Sequence, residues 1–524
     1  MVRIRHDAWK LGTSWNDTML WYARAVEKLQ TRPLRDPTSW GYLAAMHGYD
    51  EALWRPLGYV SATNPAPSQA VQDDVWIQCQ HFSWYFLPWH RGYLSAFEQI
   101  VRAAIVELGG PAQWALPYWD YNDQSNPKAR SLPPCFWAKK LPDGSKNPLL
   151  VAQRFGGTAT SPIDPAALSL SALQETDFAS ATSPAMFGGS PTVFSHGDGD
   201  GGQLEDHPHG TVHVAVARGK TSKRGLMGSF DTAALDPIFW LHHANIDRLW
   251  EVWLARAPGN HNPVEPEWLD GPPLLGRRFK VPMTNGQLKT FTARDVLDTR
   301  SPQLDYEYES IADPLGGSQR QRARLHSLGR FDVISANRAV QEREMLRPAS
   351  RTELMGANDQ VIHLPESGVE TRVRLDKPSL TRMSKSFALR RGAVADVAAD
   401  EAVAASEPDR VFLNLENVRC DKDGAMFYVY VNLPQGADPG THPQNLAGTF
   451  SLFGVSKASR ANDAHGGSGV TKSIEITHLI DALHLTNQLD REHIDIRFVA
   501  ATGVADDEKI SVGRVSVSRL SQQS

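Results

Sequence analysis

DPIFWLHHANIDRLWEVW, residues Asp236–Trp253, repeats apolar residues at intervals of three and four, which is the spacing of an amphipathic helix. PHGTVH, residues Pro208–His213, precedes it and places His209 and His213 four residues apart. Residues four apart on a helix leave the same face about one turn from each other, so one metal ion can use both imidazoles. The two stretches therefore predict a helical domain that carries a metal site.

A third imidazole for this set stands in the second stretch, at His243. Asp247, four residues further, shares its helix face, and we expect this carboxylate to accept the N–H of the other ring nitrogen of His243. His242 adjoins His243, but neighbours on a helix point about 100° apart, so only one of the two can face a metal ion. His207 falls off the face of His209, and we expect it in a loop.

A second trio of histidines, His47, His81 and His90, lies upstream among aromatic residues such as HFSWYFLPWH. Two sets of neutral imidazoles without a carboxylate or thiolate ligand suit copper or zinc better than calcium, magnesium or an iron–sulfur cluster. The absence of a bridging carboxylate argues against a two-metal hydrolase, although a dinuclear zinc hydrolase is kept as one alternative.

Composition excludes several classes of protein. The chain has 524 residues and a net charge of -5, so it has no basic excess to hold nucleic acid or anionic lipid. No apolar run is long enough to span a membrane, and the first thirty residues do not resemble a signal peptide. The three cysteines, Cys79, Cys135 and Cys420, are too few for a disulfide framework. We expect a cytoplasmic protein.

The composition and residue pattern divide the chain into a helical part and a β part. All 15 tryptophans lie at or before Trp268. Residues 1–347 are expected to form a mainly α domain, a four-helix bundle with long loops that includes helices at Trp89–Ile105 and Leu241–Leu254. Residues 348–408 are predicted to be a linker and mobile loop that can include the first strand of the next domain. Residues 409–524, with short β-branched segments between turn residues, predict an all-β sandwich.

These motifs resemble the type-3 copper family of tyrosinases, catechol oxidases and molluscan haemocyanins. The resemblance is carried by PHGTVH with DPIFWLHHANIDRLWEVW, and by His47, Cys79–His81 and Pro88–Gly92 (PWHRG). It is close over roughly residues 40 to 255 and looser over the β domain. It implies two copper ions, which would be bound by two sets of three histidines: His47, His81 and His90 at copper A, and His209, His213 and His243 at copper B.

The resemblance also implies O2-dependent oxidation of small ortho-diphenols to ortho-quinones, with ortho-hydroxylation of monophenols as the more demanding reaction. A haemocyanin-like oxygen carrier and an ortho-aminophenol oxidase are the alternatives within the family. A carrier usually gains from many linked units, whereas this chain has one set of motifs, so we expect an enzyme. The family gives no expectation of a nucleic-acid or membrane partner, and it leaves the oligomeric state open.

Four more residues of the helical domain match family positions. Cys79 stands where some members join the sulfur to the imidazole at the position of His81 by a thioether, with a free buried thiol as the alternative. Glu205 matches a glutamate that holds a water beside the coppers, and could otherwise face a helix dipole. Phe230 matches a ring that covers copper A, or belongs to the core. Gly210 replaces an asparagine found in several members with strong monophenol activity.

The β domain resembles the C-terminal domain of latent polyphenol oxidases, which inserts one side chain into the copper cavity and shields the active site. In AGTFSLFG, residues Ala447–Gly454, the residue that matches this placeholder is Phe453. Phe450 is the alternative plug, and an ordinary place within a strand is the alternative role for Phe453. The expected consequence of a plug is latency.

Overall fold

The computed structural model describes ten segments of the chain: residues 2–12, 15–193, 199–221, 223–257, 259–271, 278–316, 350–376, 409–461, 467–486 and 492–522. The predicted mobile loop falls within 377–408 and lies outside the described residues. Within the ten segments, no helix combines the length and the apolar character that crossing a bilayer requires.

Eight helices of the described residues build the N-terminal part, called here the helical domain. Capping fixes where they begin: the side chain of Asn16 accepts a hydrogen bond from the Met19 N–H at 3.0 Å, at the start of the first helix. The helices are α1 Asp17–Gln30, α2 Trp40–Ala45, α3 Glu51–Trp54, α4 Gln69–Val71, α5 Phe86–Glu107, α6 Thr211–Arg218, α7 Ile238–Arg256 and α8 Pro266–Leu269.

Helices α5 and α7 form the centre of this domain, as their apolar spacing predicts. They pack through the rings of Phe97 and Trp240, which stack with centroids 3.5 Å apart. Two small sheets close the domain at its edges: β1 Arg3–Arg5 pairs in parallel with β4 Tyr306–Tyr308, and β2 Phe279–Pro282 pairs antiparallel with β3 Leu288–Phe291. The mainly α prediction for this part is confirmed.

Nine strands of the described residues form one antiparallel sheet in the C-terminal part, called here the β domain. The strands are β5 Ser350–Ala357, β6 Ile362–His363, β7 Val369–Leu375, β8 Arg410–Arg419, β9 Met426–Val431, β10 Leu446–Ser451, β11 Val470–Glu475, β12 His493–Ala500 and β13 Ser511–Gln522. Two helices, α9 Val455–Ala458 and α10 Thr477–Leu485, accompany them.

The sheet order is β10-β9-β12-β7-β5-β13-β8-β11, with β6 paired to β13. Its two end strands meet, because Ile474 on β11 packs over Gly448 on β10. The all-β prediction is confirmed, and the strands form one sheet rolled nearly into a barrel. Strands β5 to β7 lie within 348–408, so the predicted linker supplies three strands of this sheet, beyond the first strand that the sequence allowed.

The two domains exchange one aromatic side chain each. Phe453, which follows β10, is buried in the apolar core of the helical domain, whereas Phe82 of the helical domain is buried in the core of the β domain. Ion pairs support this interface, including the partly buried, bidentate pair of Arg410 with Glu175 at 2.7 Å and the fully buried pair of Arg218 with Glu508. The β domain is therefore docked over the helical domain.

Candidate metal centre

Seven histidines surround the centre. Six of them are the predicted ligands, each at most 3% exposed, and the seventh is His242. Their elements bring them together at the middle of the helical domain. His47 follows α2, His81 lies in the turn before α5, His90 is on α5, His209 is in the irregular turn Glu205–Gly210, His213 is on α6 and His243 is on α7.

The histidines form two trios that face each other. In the first, the ring centroids of His47, His81 and His90 are 5.1 to 5.8 Å apart. In the second, those of His209, His213 and His243 are 4.7 to 5.3 Å apart. The rings of His90 and His243 stack across the two trios at 4.6 Å. The predicted pairing of His209 with His213 four residues apart holds, because the backbone is helical from Gly210 onward.

Backbone carbonyls fix the direction of four of these rings. A carbonyl only accepts hydrogen bonds, so Nδ1 carries the proton and the Nε2 lone pair is free to bind a metal ion. The four bonds run from Nδ1 of His47 to Phe230 O at 3.0 Å, of His90 to Phe86 O at 2.8 Å, of His209 to Glu205 O at 3.0 Å and of His213 to Met227 O at 2.9 Å.

The Nε2 atoms fit a pair of bound cations. Those of His47 and His209 are buried and have no hydrogen-bond partner among the described residues. Those of His213 and His243 lie 3.2 Å apart, which is within hydrogen-bond distance and also suits two ligands of one ion. Among the described residues, the two potential metal-binding groups contain histidines and Cys79 but no carboxylate. Such a nitrogen-rich set suits copper or zinc.

Burial keeps the imidazoles neutral. It lowers the pKa of His90 to about 3, with a small opposing effect of its bond to Phe86 O. Burial, reinforced by neighbouring histidines, also lowers the pKa of four others well below the ordinary value: His47, His209, His213 and His243. Neutral imidazole is the form that binds metal.

His242 lies closer to the second trio than the helix argument suggests. Its ring centroid is 4.9 Å from that of His213, and neither of its buried nitrogens has a hydrogen-bond partner among the described residues. His243, however, is the one that stacks on His90 of the first trio. His207 points instead to the β domain, where its Nε2 lies 3.0 Å from the Thr449 hydroxyl oxygen.

The predicted bond between Asp247 and His243 is wrong. Asp247 binds Arg91 at 2.5 Å and Arg5 at 3.3 Å, and it accepts from the Tyr306 and Tyr308 hydroxyls at 2.5 Å each. Burial raises its pKa, but the two arginines more than offset this and hold it below the ordinary value. Arg5 and the tyrosines come from β1 and β4, whose pairing brings them to Asp247.

Glu205 lies beside the trios, with its carboxylate turned to the backbone of the loop that carries His81. Both of its oxygens lie 2.9 Å from the Phe82 N–H, and burial raises its pKa to about 8.

Gly210 is a point of close approach between the domains. A Cβ there would lie 2.7 Å from the Ser451 hydroxyl oxygen, so a larger residue would meet β10.

Phe230 and Cys79 both contact the first trio. The Phe230 ring centroid lies 4.7 Å from that of His47 and 5.1 Å from that of His81. The Cys79 sulfur lies 3.4 Å from Nδ1 of His81, and Cys79 is a free cysteine in this structure.

Phe453 lies in the centre itself. Its ring stacks on that of His213 with centroids 3.9 Å apart and planes inclined by 17°, and it lies 5.5 Å from His209. Phe450, the alternative, packs with Phe427 and Phe498 in the core of the β domain. The two differ because Phe450 lies within β10, whereas Phe453 lies in the turn after the strand ends at Ser451.

Sequence reasoning did not find two β-domain residues at the centre. The Lys457 ammonium lies 4.5 Å from the centroid of the Phe230 ring. The Asp423 carboxylate accepts from the Ser456 N–H at 2.8 Å and from the Phe230 N–H at 3.3 Å, and burial raises its pKa to about 6. Both are ordinary loop and helix residues in the sequence, so only the docking of the domains could identify them.

The fold and the site define a buried two-metal histidine centre in a helical domain, covered by an all-β domain. The family model described as the common central domain of tyrosinase matches residues 37–256. A second family model, described as a domain of unknown function, matches residues 351–520. The chain is 34% identical over 512 residues to tyrosinase HcTyr1 of Hahella sp. (strain CCB-MM4), covering 96% of this chain and 97% of that protein.

Plant proteins and solved structures agree with this match. A chloroplastic polyphenol oxidase of Malus domestica is 26% identical, over 86% of this chain and 68% of its own. The structure of latent apple tyrosinase shares the fold with a TM-score of 0.56 and 21% identity, over 99% of this chain and 97% of that one. The chain belongs to the tyrosinase family. It is a dicopper oxidoreductase that acts on phenols with O2.

Proposed function

We propose that this chain is a latent polyphenol oxidase that oxidises ortho-diphenols to ortho-quinones, two diphenols and one O2 giving two quinones and two waters. The observation that supports this most is the Phe453 ring, stacked at 3.9 Å on a histidine of a buried two-metal centre. A phenol substrate needs the same place beside the metal ions. We further assign His47, His81 and His90 to one copper ion and His209, His213 and His243 to the other.

The residues around the centre bind and orient the substrate. When bound, the two copper ions supply the redox chemistry that transfers electrons from the phenol to O2. The Phe230 ring covers the centre on the side of His47. The space beside the metal ions that Phe453 fills, called here the ring slot, therefore admits only a flat ring. Glu205, whose carboxyl group contacts the Phe82 N–H, is assigned the role of holding a water that accepts the phenol proton. Gly210 leaves room beside His209 for the substrate or, in the latent state, for Ser451. Ortho-hydroxylation of monophenols is part of this proposal, with lower efficiency.

Oxygen uptake tests the reaction. The copper-loaded full chain, before and after limited proteolysis, is given 4-methylcatechol and then 4-methylphenol. We expect slow uptake before proteolysis, faster steady uptake with the catechol afterwards, and weaker uptake with the phenol. Oxygen binding without steady turnover, in either form, would favour the oxygen carrier and contradict the proposal.

One ion pair between the two domains is expected to hold the β domain on the helical domain. Glu508 and Arg218 are both fully buried, and loss of one partner from such a pair costs about 3 to 5 kcal/mol. We expect Glu508→Gln to loosen docking, so that catechol oxidation appears at a lower urea concentration than in the wild type. The measurement is initial rate against urea concentration.

Glu370→Gln is the matched control for that change. Glu370 pairs with Arg497 at 3.5 Å within the β domain and its side chain is 54% exposed, so its loss is worth less than about 1 kcal/mol. Activation of both variants at the same urea concentration would show that the buried pair does not hold the β domain in place.

The proximity of Cys79 to His81 predicts a covalent link in the mature protein. With the sulfur 3.4 Å from the imidazole, we propose that the S–H bond of Cys79 and a ring C–H bond of His81 are replaced by an S–C thioether bond, and that O2, in the presence of bound copper, would take up the two hydrogens and their electrons as H2O2. The intact mass is then expected to be about 2 Da below that of the sequence, and Cys79 to resist alkylation in denaturant. A full-length mass with alkylated Cys79 would contradict the link, and Cys79→Ser provides the unlinked reference.

A further inference from the structure

The β domain places a cation beside the centre as well as the ring of Phe453, and this cation is Lys457 on helix α9. Lys457 follows Phe453 by four residues, and its half-buried ammonium lies 4.5 Å from the centroid of the Phe230 ring. Among the described residues, it has no ion-pair partner and no side-chain hydrogen bond. Its contact is therefore with the face of an aromatic ring, a recognised binding mode for ammonium groups.

The surface under Lys457 belongs to the helical domain and suits a cation. The Phe230 ring, which the ammonium contacts, lies 4.7 Å from that of His47 in the first trio. Asp231 is the next residue, and its carboxylate, 15% exposed, lies 3.9 Å from a second β-domain cation, Arg460. The β domain thus brings two positive charges to an aromatic face and a carboxylate at one side of the centre.

Opening of the β domain changes this surface in a defined way. Phe453, Lys457 and Arg460 all belong to the β domain and leave together. Phe230 and Asp231 remain on the helical domain, with the ring of Phe230 against the first trio. The ring slot and the cation-binding surface then become accessible at the same time.

We propose that Phe453 and Lys457 together imitate a substrate, and that Phe230 and Asp231 form a subsite for its ammonium group. The inference rests on the proposed function and makes it more specific. We expect the highest kcat/KM for phenols and catechols with a cationic amine side chain. The value should be lower for neutral phenols and catechols, and much lower for those with a carboxylate. An ammonium replaces that of Lys457 on the ring of Phe230, whereas a carboxylate meets the charge of Asp231.

The test uses the copper-loaded full chain with Phe453→Ala, which clears the ring slot but leaves Lys457 in place. The value of kcat/KM is measured for dopamine, 4-methylcatechol and 3,4-dihydroxyphenylacetate, with and without the additional change Lys457→Ala. We expect the second change to raise the dopamine value about tenfold and the 4-methylcatechol value less than about twofold. Lys457→Arg keeps a cation on Phe230, and should leave dopamine oxidation low.

A third change locates the subsite. Asp231→Asn, added to Phe453→Ala and Lys457→Ala, should lower the ratio of the dopamine value to the 3,4-dihydroxyphenylacetate value by about tenfold. Equal effects of Lys457→Ala on all three substrates, or a ratio unmoved by Asp231→Asn, would overturn the subsite while leaving the phenol oxidase in place. Absence of 4-methylcatechol oxidation by the Phe453→Ala chain would overturn the proposed function itself.

Discussion

Phe453→Ala is expected to raise the rate of catechol oxidation by the full chain about tenfold or more. Burial of a phenylalanine is worth about 2 to 3 kcal/mol, and the side chain is presented by a docked domain, which gives it a high effective concentration. Its ring stacks on that of His213 at 3.9 Å, so truncation opens the place beside the metal ions. The measurement is the initial rate of quinone formation from 4-methylcatechol, without detergent or protease.

Phe453→Leu is the control for this change. Leucine keeps an apolar side chain of similar bulk in the slot, so the variant should stay latent. Limited proteolysis of the wild type should reach at least the rate of Phe453→Ala. If Phe453→Ala and the wild type oxidised catechol at the same rate, Phe453 would be a packing residue and latency would need another explanation.

His243→Gln should remove one copper ion per chain and lower catechol oxidation by about 1,000-fold. A bound metal ion supplies several kcal/mol of charge stabilisation, and each 1.36 kcal/mol is a factor of ten in rate. The rings of His243 and His90 stack at 4.6 Å across the two trios, so His243 lies where two ions would share one O2 molecule. Copper content and rate are measured on the same sample, in the Phe453→Ala background.

His242→Gln is the matched comparison, because His242 is equally buried and adjacent in the sequence. It should retain both copper ions. Loss of copper from His242→Gln and its retention in His243→Gln would reverse the assignment of the ligand on α7.

The helices and the histidine trios could be predicted because their signals are local. Apolar residues at helical spacing mark α5 and α7, and the four-residue interval between His209 and His213 is a property of one turn of helix. The choice of His243 over His242 came from the family resemblance, since helix geometry shows only that one of them can face the ions. In the structure His243 stacks on His90, while His242 also lies within the second potential metal-binding group, so the choice stays a prediction.

The errors lie where distant segments meet. The side chain of Asp247 has the right spacing to reach His243, but Arg5 and Arg91 bind it first, and Arg5 arrives only when β1 pairs with β4. The segment that contains β5 to β7 has a weak strand signal, because the fully buried face of β7 is limited to Val373 and Leu375. Its strands are recognisable through their partners in the sheet, β12 and β13.

The interface between the domains was the part least accessible from sequence. Phe453 was found by resemblance, but Lys457 and Asp423 have no sequence signal, because their role depends on the angle at which the β domain docks. The same holds for Gly210, where the neighbour that a side chain would meet is Ser451 from the other domain. The histidine motifs therefore predict the centre, whereas docking determines what covers it.

Metal content combined with oxygen-dependent absorption tests the two-copper centre most directly. The purified full chain, reconstituted with copper, is expected to hold two copper ions and to gain, after reduction and exposure to O2, a near-ultraviolet band that disappears on deoxygenation. The band requires that the two trios hold their ions close enough to share one O2 molecule. A single copper ion per chain, or two ions without an oxygen-dependent band, would contradict a shared centre.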